Sequence, residues 1–353
     1  MPPSHVIMSR YVIGYKRSLT LLLLLCGGLA MYLTAFSTHK DTREYVPLFQ
    51  GHPGYDITLV TMYLNLGKFQ KGGGNHFYTT EGYLGWMKSW GWLNNTVVAF
   101  FDDDKILEVF RKIRSAQPPE RTIIHKISRD ELPAFKDFDK IKKMFAQPSY
   151  PKHYPNTVKA EYSCAVSAKT DVLDKVLTSE KINTKYLAWL DIGYFRLLTY
   201  PKFYPANKTY KLEVPEGFKD DTVAFSVVND HGNALEQKPW DIIRHNMVWV
   251  ASGLIVGTPK VMQHYVKDFR AARSELLAQN MMSTGQQILA SLYSKKMKTQ
   301  PSIGYSLYSC TEGQFGMYAS DRIYFCFGFK CKEAAEIRSG GKNGTVTGTK
   351  IPG

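Results

Sequence analysis

Residues 186–196 read YLAWLDIGYFR, and the fold turns on how this stretch is read. Tyr186 to Leu190 are apolar or aromatic without a break. Such a run predicts a strand buried on both faces, as in the middle of a parallel sheet. It leads directly into Asp191, which places a carboxylate at the strand's carboxyl end, where open α/β sheets gather their ligands. Gly193 permits close backbone approach, and Arg196 is suited to pairing with a phosphate. The structural alternative is an aspartate that only caps the turn after a core strand.

On the N-terminal side, residues 56–63 (DITLVTMY) predict the first strand. Residues 64–68 then lead to Lys71-Gly72-Gly73-Gly74, a glycine-bearing turn where doubly wound folds hold nucleotides, although it is neither a GxGxxG nor a P-loop motif. Residues 79–93 predict an aromatic-rich helix, 96–101 (TVVAFF) a second strand, 105–115 a helix and 121–127 a third strand. Asp102, Asp103 and Asp104 are of a type that binds divalent cations, but their place at the start of a helix favours a role at the positive end of its dipole. Ser128 to Glu131 has the form of a capping box, and the proline-rich 147–156 predicts an ordered loop or a lid. Residues 157–178 predict one long helix with Val158, Tyr162, Ala165, Val172, Leu173 and Val176 on its core face. Lys169 falls within that stripe, so its amine must snorkel, pair with a carboxylate or meet a ligand.

Beyond a Tyr/Pro/Lys-rich loop, 222–228 (TVAFSVV) predicts a strand that ends in Asn229-Asp230-His231-Gly232. Asp230 and His231 are of general-base type. Residues 247–257 (MVWVASGLIVG) predict a strand region interrupted at Ser252-Gly253. Thr258-Pro259 opens the next helix, to Leu277, with a cap residue followed by proline. A further helix is expected over 284–296, short strands over 305–331, and a disordered Gly/Lys/Thr-rich tail over 332–353.

The 353 residues, 44% of them hydrophobic, suffice for a full core. Aromatic residues make up 13%, which suits a carbohydrate-facing surface and an aromatic core equally. The net charge of +14 is spread along the chain without a long basic run or nucleic-acid motif. No nucleic-acid partner is expected. The charge points to nucleotide phosphates, acidic glycans or lipid headgroups, or simply to a solvated basic surface.

Residues 19–36, LTLLLLLCGGLAMYLTAF, carry no charge and follow Arg10, Lys16 and Arg17. They predict a transmembrane signal anchor, with 1–18 as cytosolic tail, 37–54 as stem and 55–331 as lumenal domain. This is a single-pass type II arrangement. A cleaved signal peptide is the rival; the long n-region and the lack of a small-x-small site weigh against it. The short span fits the thin membranes of the ER and Golgi, with secretion or the cell surface as the alternative. Sequons at Asn94, Asn207 and Asn343 predict N-glycosylation of a lumenal body. Cys164, Cys310, Cys326 and Cys331 permit two disulfides in three connectivities, and the clustering of three of them predicts a staple near the C-terminus. No Cys/His spacing fits zinc.

Strand–helix alternation, the Trp189-Leu190-Asp191-Ile192-Gly193 strand end with Arg196, and SGLIVGTP followed by a helix together resemble the HtrL/YibB-like family. The resemblance runs from about Tyr55 to about Lys296. It also includes the 61–68 turn, the 97–102 strand, the helix through Tyr162 and Lys169, and Ser252-Gly253 with Gly257. The order of elements resembles the GT-A fold: a Rossmann-like α/β core with a mostly parallel sheet between helices. The resemblance implies a nucleotide-sugar-dependent glycosyltransferase acting on a glycan acceptor. Asp191 matches the first acidic position of a DxD metal motif, where Mn²⁺ or Mg²⁺ would bridge the diphosphate. Gly193 stands in place of the second aspartate, and Thr284-Gly285-Gln286 where many GT-A enzymes carry Asp-Gln. In this reading Thr61, Tyr63, Asn65 and Lys68 cradle the nucleotide, while Lys169 and Arg196 offset phosphate charge. Asp230 or His231 deprotonates the acceptor, and Ser252 and Gly253 line its side of the site. With the second aspartate missing, either Asp230, His231 or a residue of Asp102–Asp104 completes the metal site, or the enzyme works without metal through Lys169 and Arg196, or the protein is a non-catalytic lumenal or cell-surface module that binds glycan or protein. A third reading is a metal-dependent hydrolase using Asp102–Asp104.

Overall fold

Ile57–Tyr63 (β1) and Tyr186–Leu190 (β6) are buried at every position, and they pair in parallel, Ile57 opposite Tyr186 and Val60 opposite Trp189. The computed structural model describes residues 54–200, 209–229, 233–317 and 319–340, which belong to one compact unit. Between β1 and β6 lie a short hairpin, Phe69–Gln70 (β2) with Phe77–Tyr78 (β3), and two further strands, Val97–Phe101 (β4) and Thr122–Lys126 (β5). Thr222–Val227 (β7), Val250–Gly257 (β8) and Gly304–Tyr308 (β9) follow. The main sheet has the order β5-β4-β1-β6-β8-β7-β9. Its neighbours run parallel except where β8 is inserted antiparallel between β6 and β7. The architecture is α/β with a mostly parallel central sheet.

Both faces of the sheet are covered, which is why β1 and β6 show no polar alternation. Val60, Met62, Leu187 and Trp189 face one core. Its helices are Phe138–Ala146 (α3), Ala160–Ser167 (α4), Lys169–Ser179 (α5), Pro259–Ala278 (α8) and Gly285–Leu292 (α9). Ile57, Leu59, Tyr186 and Leu190 face the other core, with Thr80–Met87 (α1), Asp104–Arg114 (α2) and Ala319–Arg338 (α10). Asn233–Glu236 (α6) and Pro239–Arg244 (α7) connect β7 to β8. Each large apolar side chain buried in either core contributes about 1.5–3 kcal/mol.

The helix starts follow local chemistry. Asp103 accepts the amides of Lys105 and Ile106 and so caps α2, the role preferred for this acidic run. Ser128 and Glu131 form a capping box. Thr258 accepts the Val261 amide, with Pro259 first in α8. Residues 157–178, expected as one helix, are two: α4 and α5 meet at Ala168. Thr170 Oγ1 donates to the Ser167 carbonyl at this break, a local bond of the kind that bends helices.

The C-terminal expectation is overturned. Of the short strands expected over 305–331 the fold keeps one, β9; a loop with a short 3-10 turn, Gln314–Gly316, follows, and α10 occupies 319–331 and takes in residues 332–338 of the expected disordered tail. Tyr324 to Phe329 alternate like a strand, yet this helix is packed around much of its circumference. Phe325 meets Tyr194, Phe327 stacks on Tyr308 and Phe329 meets Phe195. A helix buried on several sides shows no clear apolar stripe. Cys310–Cys326 ties it to the loop after β9, the staple expected there. Cys164 and Cys331 are buried free thiols, and burial pushes the Cys164 thiol up to about 12.

Among the described residues no helix is long and apolar enough to cross a membrane. The expected cytosolic tail, the 19–36 span and the stem up to residue 53 lie outside the described residues, as do Asn207 and Asn343. Asn94 is only 5% exposed, so the fold leaves no room for a glycan on its amide and corrects that sequon.

Candidate functional site

From β1 the chain moves outward to β4 and β5 and then returns on the other side of β1 as β6. Ligands in open α/β sheets bind at such a switch point, outside the carboxyl ends of the strands. A cavity of about 580 Å³ opens here, a volume suited to a small-molecule site. Met62 and Tyr63 from β1, Trp189 from β6 and Ala251 to Gly253 from β8 all line it.

Asp191 stands on the floor with its side chain 43% exposed. Its Oδ1 accepts from Lys169 Nζ and from Trp189 Nε1, both at 2.7 Å. Its amide donates to the Gly253 carbonyl at 2.7 Å. Lys169, the first residue of α5, is buried; its ammonium also donates to the Ser252 carbonyl at 3.0 Å and lies 5.2 Å from the Trp189 ring centre. The helical stripe therefore ends in an ion pair, one of the alternatives open to a core-facing lysine. Among the described residues Asp191 Oδ2 has no hydrogen-bond partner, so this oxygen is free to accept a ligand hydroxyl.

A second pair comes from Arg196 and Asp321, 3.4 Å apart. The guanidinium lies over Phe325 at 4.5 Å and Trp86 at 5.7 Å, contacts that fix its plane. Gly193 makes room for that tryptophan: a Cβ there would come within 2.9 Å of Trp86 Cε3. The second aspartate of a DxD motif could not occupy this position without displacing the indole. Gly253 is similarly confined, since a Cβ would sit 3.0 Å from Tyr194 and 3.4 Å from Asp191 Oδ2.

The remaining wall is aromatic. Tyr83 meets Trp86 at 4.8 Å and Tyr63 at 5.1 Å, while Phe69 meets Tyr162 at 5.3 Å. Burial pushes the Tyr63 hydroxyl up, partly countered by its hydrogen bond with Thr80. Lys71 reaches the cavity from the turn after β2, over the rings of Tyr78 and Tyr162 at 4.9 and 5.7 Å.

Of the residues expected from sequence, Tyr63, Lys169, Asp191, Gly193, Arg196, Ser252 and Gly253 meet in this one cavity, joined by Thr284 and Gln286. Three others do not. Thr61 is fully buried inside β1. Asn65 is spent on structure: its amide donates to Asp102, its Nδ2 to Asp103, and its Oδ1 accepts from Thr80. Lys68 lies over Phe77 outside the cavity lining. Asp230 and His231 lie outside the described residues. Asp102 to Asp104 do not supply the hydrolase's metal cluster: Asp102 is held by Arg129, Asp103 caps α2 and Asp104 pairs with Lys126. Lys71, Trp86, Tyr83, Asp321, Tyr324 and Phe325 are among the cavity residues to which sequence reading gave no role.

The expected Mn²⁺ or Mg²⁺ on Asp191 does not fit the described donors. A hard cation seeks several oxygens, but among the described residues the cavity's carboxylates are Asp191 and Asp321, and each already faces a cation, Lys169 at 2.7 Å and Arg196 at 3.4 Å. Among the described residues no group of three or more His, Cys, Asp or Glu is placed to hold a metal.

A family model described as "Bacterial protein of unknown function (HtrL_YibB)" matches residues 55–299. The chain belongs to the HtrL_YibB family. The family span covers β1 to α9, whereas β9, the disulfide and α10 follow it. Among curated proteins none matches the chain. Among solved structures, mouse xyloside xylosyltransferase 1 in its apo form is similar at 9% identity and a TM-score of 0.37, covering 76% of this chain and 93% of that one. Core-mannan synthase A from Aspergillus fumigatus, in a Mn/GDP form, is similar at 10% identity and a TM-score of 0.41, covering 83% and 91%.

Proposed function

We propose that this cavity binds a nucleotide-sugar and that the protein transfers the sugar to a glycan hydroxyl, on a core of GT-A type. The observation that carries the reading is a cavity at the β1–β6 switch point that combines aromatic walls with Lys71, Lys169 and Arg196. Aromatic faces suit a base or a sugar ring, and cations suit a diphosphate. Asp191 Oδ2 accepts a hydroxyl of the ribose or the sugar, with Lys169 fixing the orientation of the carboxylate.

In the transfer, the acceptor oxygen bonds to the anomeric carbon as the bond from that carbon to the diphosphate oxygen breaks. The acceptor proton passes to a base, and the departing diphosphate carries the negative charge that the cations balance. Asp230 or His231 is proposed as the base; Asp321, a carboxylate already in the cavity, is the third candidate. The body is proposed to face the ER or Golgi lumen behind a 19–36 anchor. The uncharged apolar run and the Cys310–Cys326 disulfide, typical of an oxidising compartment, support that reading. Glycosidase sensitivity of Asn207 and Asn343 tests it, with unmodified asparagines in secretory cells counting against it.

Thermal shift with a panel of nucleoside diphosphates is the first test. A ligand at a hundredfold excess over its Kd stabilises by about 2.7 kcal/mol, a rise of several degrees in Tm. Asp191→Ala should remove most of that rise. A non-catalytic glycan- or protein-binding module is the second reading, favoured by the ion pair that occupies Asp191; it predicts no shift with any nucleoside diphosphate.

A further inference from the structure

The three cations of the cavity are not equivalent. Lys169 faces Asp191 and Arg196 faces Asp321. Among the described residues no carboxylate pairs with Lys71. Its ammonium meets the Tyr162 hydroxyl at 3.3 Å and the faces of Tyr78 and Tyr162. Such contacts tolerate a cation without neutralising it.

The backbone that carries Lys71 is pinned. The Lys71 amide donates to the His76 carbonyl and the Gly72 amide to the Tyr154 carbonyl, both at 2.9 Å. Gln70 Nε2 donates to the Gly74 carbonyl at 2.8 Å. Gly72 and Gly74 take positive φ, +76° and +70°, a conformation that glycine adopts without steric cost. The turn is thus built to hold one lysine at the cavity rather than to leave it on a free loop. Burial opposes the Lys71 charge, but the oxygens of Tyr162, Tyr83 and Tyr78 outweigh it and hold the ammonium above the ordinary lysine range.

We propose that Lys71 binds the phosphates of the donor, as a fixed positive charge in the role a divalent cation would fill, so that donor binding does not require added metal. This rests on the glycosyltransferase reading and names the group that recognises its diphosphate. Two observations point the same way: among the described residues this positioned cation has no carboxylate partner, and the carboxylates of the cavity, Asp191 and Asp321, each already face a cation. The shared chemistry is a compact anion, which an acidic sugar could also supply; phosphate is favoured because a Lys ammonium acts as a point charge on phosphate oxygens.

The test is calorimetric titration of the full chain with inorganic pyrophosphate, a panel of nucleoside diphosphates, and glucuronate, each in EDTA and in Mn²⁺. Lys71→Gln, Lys71→Arg and Lys68→Gln are run alongside, with the Tm of each variant confirming its fold. Pyrophosphate binding should weaken about ten- to a hundredfold in Lys71→Gln, the loss of one charge-assisted contact. It should largely recover in Lys71→Arg, stay unchanged in Lys68→Gln, and differ little between EDTA and Mn²⁺. Unchanged pyrophosphate binding in Lys71→Gln overturns the proposal, as does binding that disappears in EDTA, or glucuronate binding through Lys71 without any pyrophosphate binding. If pyrophosphate binds through Lys71 but no nucleoside diphosphate binds more tightly, the proposed function fails while the anion site stands. If a nucleoside diphosphate binds well and Lys71→Gln leaves it unaffected, the function stands and this assignment fails.

Discussion

Lys169 and Lys71 reach one cavity from two different elements. Lys169 opens helix α5, is buried, and spends its charge on Asp191 and the Ser252 carbonyl. Lys71 rides on a glycine-bearing turn beside tyrosine rings, and among the described residues no carboxylate answers it. The same side chain thus serves construction in one place and presentation in the other. A charge answered by a carboxylate is part of the construction, whereas one that meets only a phenol oxygen and aromatic rings still has charge to offer an anionic ligand. Lys169 should therefore answer to mutation chiefly in stability, and Lys71 chiefly in binding.

The sharpest break in that contrast would come beneath the floor, at Gly328. A Cβ there would lie 2.3 Å from Tyr194 Cε1 and 3.0 Å from Phe195 Cζ, and the Tyr194 hydroxyl accepts the Gly328 amide. Gly328→Ala is expected to cost about 3 kcal/mol by overpacking, measured by urea denaturation. A loss under about 1 kcal/mol would mean that α10 yields easily and the floor is not rigid.

Lys169→Met comes next. Breaking a fully buried pair costs about 3–5 kcal/mol, but Asp191 is partly exposed and water recovers some of its charge, so about 2 kcal/mol is expected. Adding Asp191→Asn should restore part of the loss, as a double-mutant cycle would read. Additive losses would show that the two residues do not act as a pair.

Gly193→Ala tests the wall between the two regions. Its Cβ would press on Trp86, costing about 1–2 kcal/mol. Because Trp86 lines the cavity, ligand affinity should fall as well. Loss of stability with ligand affinity intact would place Trp86 outside the ligand's contacts. Lys71→Gln should have the smallest effect on stability, about 0.5–1 kcal/mol, because it removes a hydrogen bond and ring contacts but leaves no carboxylate unpaired. A large destabilisation would erase the distinction between the lysines.

The same contrast explains how much could be read in advance. The apolar-rich β1, the unbroken apolar run of β6, the Ser128 box and the Thr258-Pro259 start are local signals, and the fold repeats them. Asp191, Gly193 and Arg196 follow a strand end directly, so their convergence was legible once β6 was recognised. Asn65 and Lys68 belong to the 61–68 turn that the family resemblance gives to the nucleotide; the chain instead spends Asn65 on tying β1 to β4 and lays Lys68 on Phe77. Lys71 lies beyond, where no periodicity operates. Its importance appears only when Tyr162, far along the chain, closes over the turn. The α10 wall was hidden for another reason: a helix packed on several sides mimics the alternation of a strand, and Asp321, Tyr324 and Phe325 went unassigned with it.

The most direct test of the account is a binding titration of the full chain with a panel of nucleotide-sugars, alongside Asp191→Ala carrying an intact fold. Saturable binding at one site in the wild type, lost or strongly weakened in the variant, is the predicted result. A folded wild type that binds none of the panel, or a variant that binds as well as the wild type, would contradict it.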